Sequence, residues 1–305
     1  MTDDASKPRA RATLTSVHIL LTYACNFSCD HCFLFSGPEA RGTFTVTMLI
    51  SMLDDIKKSG IANVCFEGGE AFLYYPLLVE GIRYAHELGL KTSVVTNAYW
   101  ARSIADAELW LKPLASLSVG KISVSADAFH FGDEVENSAK RALAAAKALG
   151  IPTSTLRTEK PAIQSVDGKR TVGGTTLFKG RAVEKFIDGL PRRPWEELVT
   201  CPHEKLAEPS RVHLDAYGNV HLCQGVCMGN ALKTPLSALI DNYHAEDDPI
   251  CGLLLDGGPA ALARKYNLPH EASYVDECHF CYMLRRALIE TYPDILAPRQ
   301  VYGIT

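Results

Sequence analysis

"SVHILLTYACNFSCDHC", residues 16–32, joins an apolar run to three cysteines packed into eight residues. The apolar part, "SVHILLT" (16–22), reads as a buried strand, and Cys25, Cys29 and Cys32 occupy the loop directly behind it. The same kind of unit then repeats. "TVTMLISMLDDIKKSG" (45–60) spaces Met48, Ile50, Leu53 and Ile56 as a helix stopped by Gly60, and "ANVCFEGG" (62–69) is a strand closed by two glycines. Helices over roughly 75–88, 104–114 and 134–149 alternate with the strands "KTSVVTN" (91–97), "KISVSAD" (121–127) and "PTSTLRT" (152–158), and "GGTTLF" (173–178) reads as a sixth strand. Strands alternating with helices mean parallel βα units. Six of them predict an α/β fold, a partial (β/α)6 barrel that is open and shorter than the closed eight-unit one.

In such folds the chemistry gathers at the carboxyl ends of the strands. That rule brings to one rim the cysteine loop, Gly68, Gly69 and Glu70 after strand 2, Thr96 and Asn97 after strand 3, and Ser123, Ser125 and Asp127 along strand 4. Each also has a plainer reading. The two glycines can form a turn, Thr96 and Ser123 can be polar strand ends, and Asp127 can cap a helix. Arg157, ending strand 5, either clamps a ligand carboxylate or makes a surface ion pair. His130, just past strand 4, is a loop residue or an acid, base or substrate contact. Lys179 and Arg181, after strand 6, bind an anion or stay solvated.

Composition bounds the rest. With 47% hydrophobic residues the chain can bury a substantial core. Its 35 acidic and 31 basic residues give a net charge of −4, so no basic stripe argues for nucleic acid. Residues 1–15 are a polar, flexible tail without a secretory signal's apolar core, and no apolar run is long enough for a membrane span, so a cytoplasmic protein without a membrane partner is expected. Ten cysteines there point to metal or redox chemistry rather than to disulfides. The proline-punctuated "GLPRRPWEEL" (189–198) divides a barrel over 16–190 from a second unit over 191–305.

Three thiolates from one loop can hold three irons of a [4Fe–4S] cluster and leave the fourth iron open, whereas zinc would need a fourth ligand from His31 or elsewhere. The second unit carries Cys201, Cys223, Cys227, Cys251, Cys278 and Cys281. "LDAYGNVHLC" (214–223) reads as a hairpin that presents Cys223 at a strand end, and "CHFC" (278–281) is a chelating pair at a helix start. Zinc or iron–sulfur would satisfy such a four-thiolate set. Cys65 reads as a small core residue, Cys227 as a fifth ligand, a hydrogen-atom donor or neither, and Cys251 is open.

Cys25-x3-Cys29-x2-Cys32 after the first strand, with His31 at an aromatic position, resembles the signature of radical S-adenosylmethionine enzymes. "EGGEAF" (67–72), "VVTNAY" (94–99) and "ISVSADAFH" (122–130) resemble that family's segments after strands 2, 3 and 4. The resemblance implies a [4Fe–4S] cluster on Cys25, Cys29 and Cys32 whose open iron is chelated by S-adenosylmethionine. It also implies a cofactor site of Gly68, Gly69, Glu70, Thr96, Asn97, Ser123, Ser125, Asp127 and Arg157, with Glu70 on the ammonium and Asn97 and Ser125 on the ribose.

Gly218-x4-Cys223, with an upstream cysteine and Cys278-x2-Cys281, looks like the auxiliary-cluster extension called SPASM or, shortened, twitch. The six cysteines here are fewer than the full SPASM pattern has. The resemblance therefore implies a small α+β domain with one auxiliary [4Fe–4S] cluster on Cys201, Cys223, Cys278 and Cys281. The activity implied is reductive cleavage of S-adenosylmethionine to a 5′-deoxyadenosyl radical, fed by a low-potential donor such as flavodoxin or ferredoxin. The radical abstracts hydrogen from a ribosomally made peptide, giving oxidation, cross-linking or epimerisation, with Cys227 or His130 as groups near the substrate. A small-molecule natural-product intermediate is the alternative substrate, and a zinc-binding module the alternative class. The segment before the first strand is too short for the peptide-recognition domain often fused to peptide maturases, while an open barrel admits a large substrate.

Overall fold

The computed structural model describes residues 14–131 and 136–304. All but the last two residues of the expected tail, and the expected helix start at Glu134, lie outside them. Five parallel strands run in order: β1 (Ser16–Thr22), β2 (Asn63–Gly68), β3 (Lys91–Thr96), β4 (Lys121–Ser125) and β5 (Thr153–Leu156). Between them lie α1 (Val46–Lys58), α2 (Tyr75–Glu87), α3 (Ile104–Ser116), the short α4 (Ala128–Phe131) and α5 (Ser138–Ala148).

Helix α1 shows why these elements form. Thr45 caps it by accepting a hydrogen bond from the Met48 amide at 3.2 Å, and Lys57 and Lys58 sit at its negative end. Leu49, Met52, Leu53 and Ile56, spaced by three and four, form its buried face. Burying a side chain of this size stabilises the fold by roughly 1.5–3 kcal/mol.

The expected sixth strand over 173–178 is not a strand. Gly173 ends the second arm of an exposed antiparallel hairpin, β6 (Ala162–Val166) and β7 (Lys169–Gly173), and the chain then bends. Gly174 takes a φ of +98°, which ends the extended run. Beyond it, side chains replace a backbone ladder: Thr175 Oγ1 accepts from the Glu159 amide (2.8 Å) and Thr176 Oγ1 donates to the Glu159 carbonyl (2.7 Å). Helix α6 (Arg181–Lys185) follows.

In the second half, β8 (Arg193–Pro194) pairs with β12 (Ser273–Tyr274), and β9 (Arg211–Asp215), β10 (Asn219–Cys223) and β11 (Val226–Asn230) form an antiparallel meander. The expected hairpin over 214–223 is present. Strand β9 pairs in parallel with β1, Ser16 opposite Arg211 through Leu20 opposite Asp215. The sixth parallel strand of the sheet therefore comes from beyond residue 190, on the β1 side. The full order is β11-β10-β9-β1-β2-β3-β4-β5, which leaves β5 as an edge. Helices α7 (Leu236–Asn242), α8 (Cys251–Tyr266) and α9 (Glu277–Leu288) complete the chain. Among the described residues no helix is long and apolar enough to cross a membrane.

Candidate active site

Cys25, Cys29 and Cys32 line one cavity of about 310 Å³ at the carboxyl ends of the strands, together with Gly68, Gly69, Glu70, Asn97 and Ser125. The loop is held by backbone bonds from Cys25 to the Gly37 carbonyl (3.1 Å) and from Cys32 to the Cys29 carbonyl (3.1 Å). Arg181, expected as an anion site, does different work. It donates to the carbonyls of Cys29 (2.6 Å) and Ser36 (2.8 Å), and its own amide donates to the Cys32 carbonyl (3.0 Å). A planar guanidinium can brace two carbonyls in this way.

Burial pushes the Cys25 thiol up to about 11 and, with the neighbouring Cys32 and Cys25 sulfurs adding repulsion, that of Cys29 to about 12. Two thiols that resist ionising, with a third sulfur beside them in the same loop, suit a bound cation, which relieves both costs. The Phe27 amide (3.4 Å) and Asn97 Nδ2 (3.7 Å) already aim at the Cys25 sulfur.

The two glycines have a structural reason of their own. A Cβ on Gly69 would meet the Ala24 carbonyl oxygen at 2.1 Å, and one on Gly68, at φ +139°, the Thr22 oxygen at 2.4 Å. The Gly69 and Glu70 amides bond those same carbonyls. Strand β2 is thus stapled to the root of the cysteine loop, and bare backbone lines the cavity.

Glu70 is 1% exposed and accepts from the Phe72 amide (3.1 Å), Thr96 Oγ1 (2.8 Å) and the Asn97 amide (2.7 Å). Burial outweighs these donors and lifts its carboxyl to about 7. Thr96 also accepts from the Trp100 indole (3.1 Å), which makes it a support for Glu70. Ser125 lines the cavity. Ser123 lies one pleat deeper, hydrogen-bonded to Ser154 at 2.9 Å. Asp127 caps α4 by accepting from the Phe129 amide and holds His130 at 2.7 Å, and both line the cavity. Burial works against it, yet the His130 contact keeps Asp127 below the usual carboxylate range. His31, driven down to about 4 by burial, packs its ring 4.3 Å from that of Phe129.

Arg157 is not brought to the site. It is exposed, while Leu156 and Thr158 on either side line the cavity, as strand alternation requires. Phe27, Asn26 and Glu67, which sequence reasoning passed over, do belong there: Asn26 accepts from Asn97 Nδ2 at 2.9 Å, and Phe27 and Glu67 line the wall. All three lie inside the quoted motifs, at positions whose residue type alone does not mark them as cavity-facing.

Cys201, Cys223, Cys278 and Cys281 converge on a second, smaller cavity with Lys179, His203, Glu204 and Arg285. Cys278 and Cys281 open α9, whose Asp276 cap accepts from the His279 amide at 2.8 Å. Burial raises all three of Cys201, Cys278 and Cys281, Cys201 to about 12. Two buried cations face the sulfurs. Lys179, also expected as an anion site, points its ammonium at Cys223 (3.7 Å) and Glu204 (3.9 Å), and Arg285 donates to the Gln224 carbonyl (2.7 Å) and Tyr302 (3.1 Å). The two cavities adjoin, because Phe33 lines the first and carries the Lys179 ammonium 5.2 Å from its ring centre.

Among the described residues, neither cysteine set has three sulfurs within 4.8 Å of one another. Thiolates tetrahedral on one zinc, at about 2.3 Å, would lie about 3.8 Å apart. The wider sets suit a multi-iron cluster. Cys227 joins neither cavity. It is 1% exposed, 3.5 Å from His221 Nδ1 and 3.4 Å from the Ala297 carbonyl, and His221 is held in turn by Asp215 at 3.1 Å. That buried network removes it from reach as a hydrogen-atom donor. Cys65 and Cys251 are core residues.

Residues 19–158 match the family model described as "Radical SAM superfamily". "Putative peptide biosynthesis protein YydG" of Bacillus subtilis (strain 168) is 28% identical over 116 residues, 38% of this chain and 36% of that protein. "Antilisterial bacteriocin subtilosin biosynthesis protein AlbA" of the same organism is 35% identical over 77 residues, 25% of this chain and 17% of that protein. The matched segment thus spans little more than a third of the length of the first relative and less of the second. Among solved structures, that of BtrN in complex with AdoMet and 2-DOIA covers 76% of this chain and 84% of its own at a TM-score of 0.51 and 15% identity, a likeness of fold.

Proposed function

We propose that this chain, whose residues 19–158 belong to the radical S-adenosylmethionine superfamily, is an enzyme that removes a hydrogen atom from a peptide by radical chemistry. The observation that carries the reading is the shared cavity: three cysteines from one loop, bare backbone at Gly68 and Gly69, and a buried carboxylate at Glu70 face the same space. Bound there, a [4Fe–4S] cluster and S-adenosylmethionine would supply one-electron cleavage of the sulfonium, and an auxiliary cluster held by Cys201, Cys223, Cys278 and Cys281 would supply an electron acceptor.

The chain's own residues do the rest. Cys25, Cys29 and Cys32 would hold three irons, and Arg181 keeps their loop closed. Glu70, ionised and fixed by three donors, would accept the cofactor's ammonium. Asn97 and Ser125 offer neutral partners for ribose hydroxyls. Phe27 and Leu177 make part of the wall apolar. Asp127, bonded to His130 Nδ1, fixes the ring and leaves Nε2 as the nitrogen that a substrate carbonyl or amide near the rim would meet.

A peptide is favoured on two grounds. The two curated relatives carry names from peptide and bacteriocin biosynthesis. With no strand beyond β5 among the described residues, the cavity wall at Leu156, Thr158 and Thr175 lies at the open edge of the sheet, where a long substrate can enter. A low-potential flavodoxin or ferredoxin would deliver the electron. The test is anaerobic incubation of the iron-loaded chain with S-adenosylmethionine and dithionite. The reading expects 5′-deoxyadenosine, and it fails if none forms from fully loaded protein.

A further inference from the structure

Deeper in the barrel wall, three adjacent strands each present one metal-ligating side chain to the same point. His18 on β1 lies directly beside His213 on β9 in the parallel register, and Glu67 comes from β2 on the other side. Glu67 Oε1 is 3.3 Å from His18 Nδ1 and 3.2 Å from His213 Nε2, and the ligand atoms of all three lie within 4.8 Å of one another. We propose that His18, Glu67 and His213 form a binding site for a single first-row divalent cation, such as zinc or ferrous iron, separate from both cysteine sets.

The distances argue for it. Nitrogen and oxygen ligands at about 2.0–2.1 Å around a tetrahedral ion stand about 3.3 Å apart, as both measured contacts do. An imidazolium–carboxylate hydrogen bond would close to about 2.7–2.9 Å. The same protein holds simple pairs of this kind at 2.7 Å (His130 and Asp127) and 3.1 Å (His221 and Asp215); here two imidazoles instead converge on one oxygen, Glu67 Oε1. His18 Nδ1 is buried and makes no well-formed hydrogen bond, although Glu67 Oε1 lies 3.3 Å away. A buried ring nitrogen with an acceptor beside it and no bond to it is accounted for by an ion between the two.

Two imidazoles and one carboxylate are a donor set for a borderline cation and leave coordination positions free. Glu67 lines the cavity that holds Cys25, Cys29 and Cys32. A cation here would lie behind Glu67, in the wall of that cavity.

The experiment uses the cluster-loaded chain, freed of adventitious metal, titrated anaerobically with zinc sulfate and desalted. One zinc per chain is expected to remain with iron unchanged. Zinc-edge absorption should show only nitrogen and oxygen neighbours at about 2.0–2.1 Å, with no sulfur at about 2.3 Å. His213→Ala and Glu67→Gln should weaken retention by about a hundredfold or more while iron per chain stays at the wild-type value. No retained zinc, or zinc with sulfur neighbours, overturns the proposal, and so does retention unaltered in variants that keep their iron. The absorption measurement needs only wild-type protein, so a variant that fails to fold leaves the test standing. Iron content and 5′-deoxyadenosine formation report on the radical reading separately.

Discussion

Lys179 sets its ammonium nitrogen 3.7 Å from the sulfur of Cys223, inside a cavity whose lining includes Leu206, Val226 and Leu254. Burial disfavours that charge, and Cys223 and Glu204 more than offset it, so the lysine stays charged. A buried cation on a ligand sulfur favours the reduced, more negative state of a cluster. A charge-assisted hydrogen bond is worth about 1.5–3 kcal/mol, and 59 mV corresponds to about 1.4 kcal/mol for one electron. Lys179→Met should therefore lower the auxiliary potential by roughly 60–130 mV, read by redox titration. An unchanged potential would remove Lys179 from this role.

Gly69→Ala would drive a methyl group into the Ala24 carbonyl, 2.1 Å from its Cβ. The root of the cysteine loop has to move. Overpacking of this kind costs about 1–3 kcal/mol, and the first cluster should be lost while the second stays. Iron per chain is expected to fall to about half of the roughly eight that two clusters hold. A variant with full iron and wild-type stability would contradict the stapling described here.

Glu70 titrates near 7 because burial raises it. If its charged form accepts the cofactor ammonium as proposed, affinity for S-adenosylmethionine should rise with pH through about 7 and level off above. Below that point the fall should be about tenfold per unit. The sign runs opposite for the ligand-free fold: a carboxyl raised above its unfolded value of 4.5 costs stability as pH climbs from that value towards 7. Glu70→Gln should show neither trend. Calorimetric titrations at several pH values give the comparison, and parallel curves for both proteins would rule the assignment out.

Arg181 braces the loop through the carbonyls of Cys29 and Ser36. Lysine cannot span both. Arg181→Lys is expected to speed loss of the first cluster on exposure to a chelator about tenfold or more, the equivalent of one charged hydrogen bond. Equal loss rates would show that the cysteine loop holds itself.

Local spacing made much of this legible. Cys25, Cys29 and Cys32 sit within one loop, and the strands from Ser16 to Leu156 repeat a βα pattern whose period is written in their apolar residues. What failed was longer-range. "GGTTLF" has a strand's composition, but Gly174 turns the chain and Thr175 and Thr176 spend their hydroxyls on Glu159. The strand that does complete the parallel set, Arg211–Asp215, pairs with β1 across nearly two hundred residues of sequence. Arg157 fell on the wrong side of an alternation whose phase is set by its neighbours. The His18, Glu67 and His213 cluster was invisible for the same reason as β9: no spacing along the chain reports which three strands lie side by side.

The central claim is that one cysteine set leaves a cluster open to S-adenosylmethionine and the other closes its cluster. The direct measurement is electron paramagnetic resonance of dithionite-reduced protein with and without S-adenosylmethionine, for the wild type and for a variant with Cys25, Cys29 and Cys32 all changed to Ala. The wild type should show two overlapping signals, of which one changes when S-adenosylmethionine is added. The variant should keep about four irons per chain and a signal that S-adenosylmethionine leaves untouched. A variant signal that responds to S-adenosylmethionine, or a variant without iron, would contradict the account.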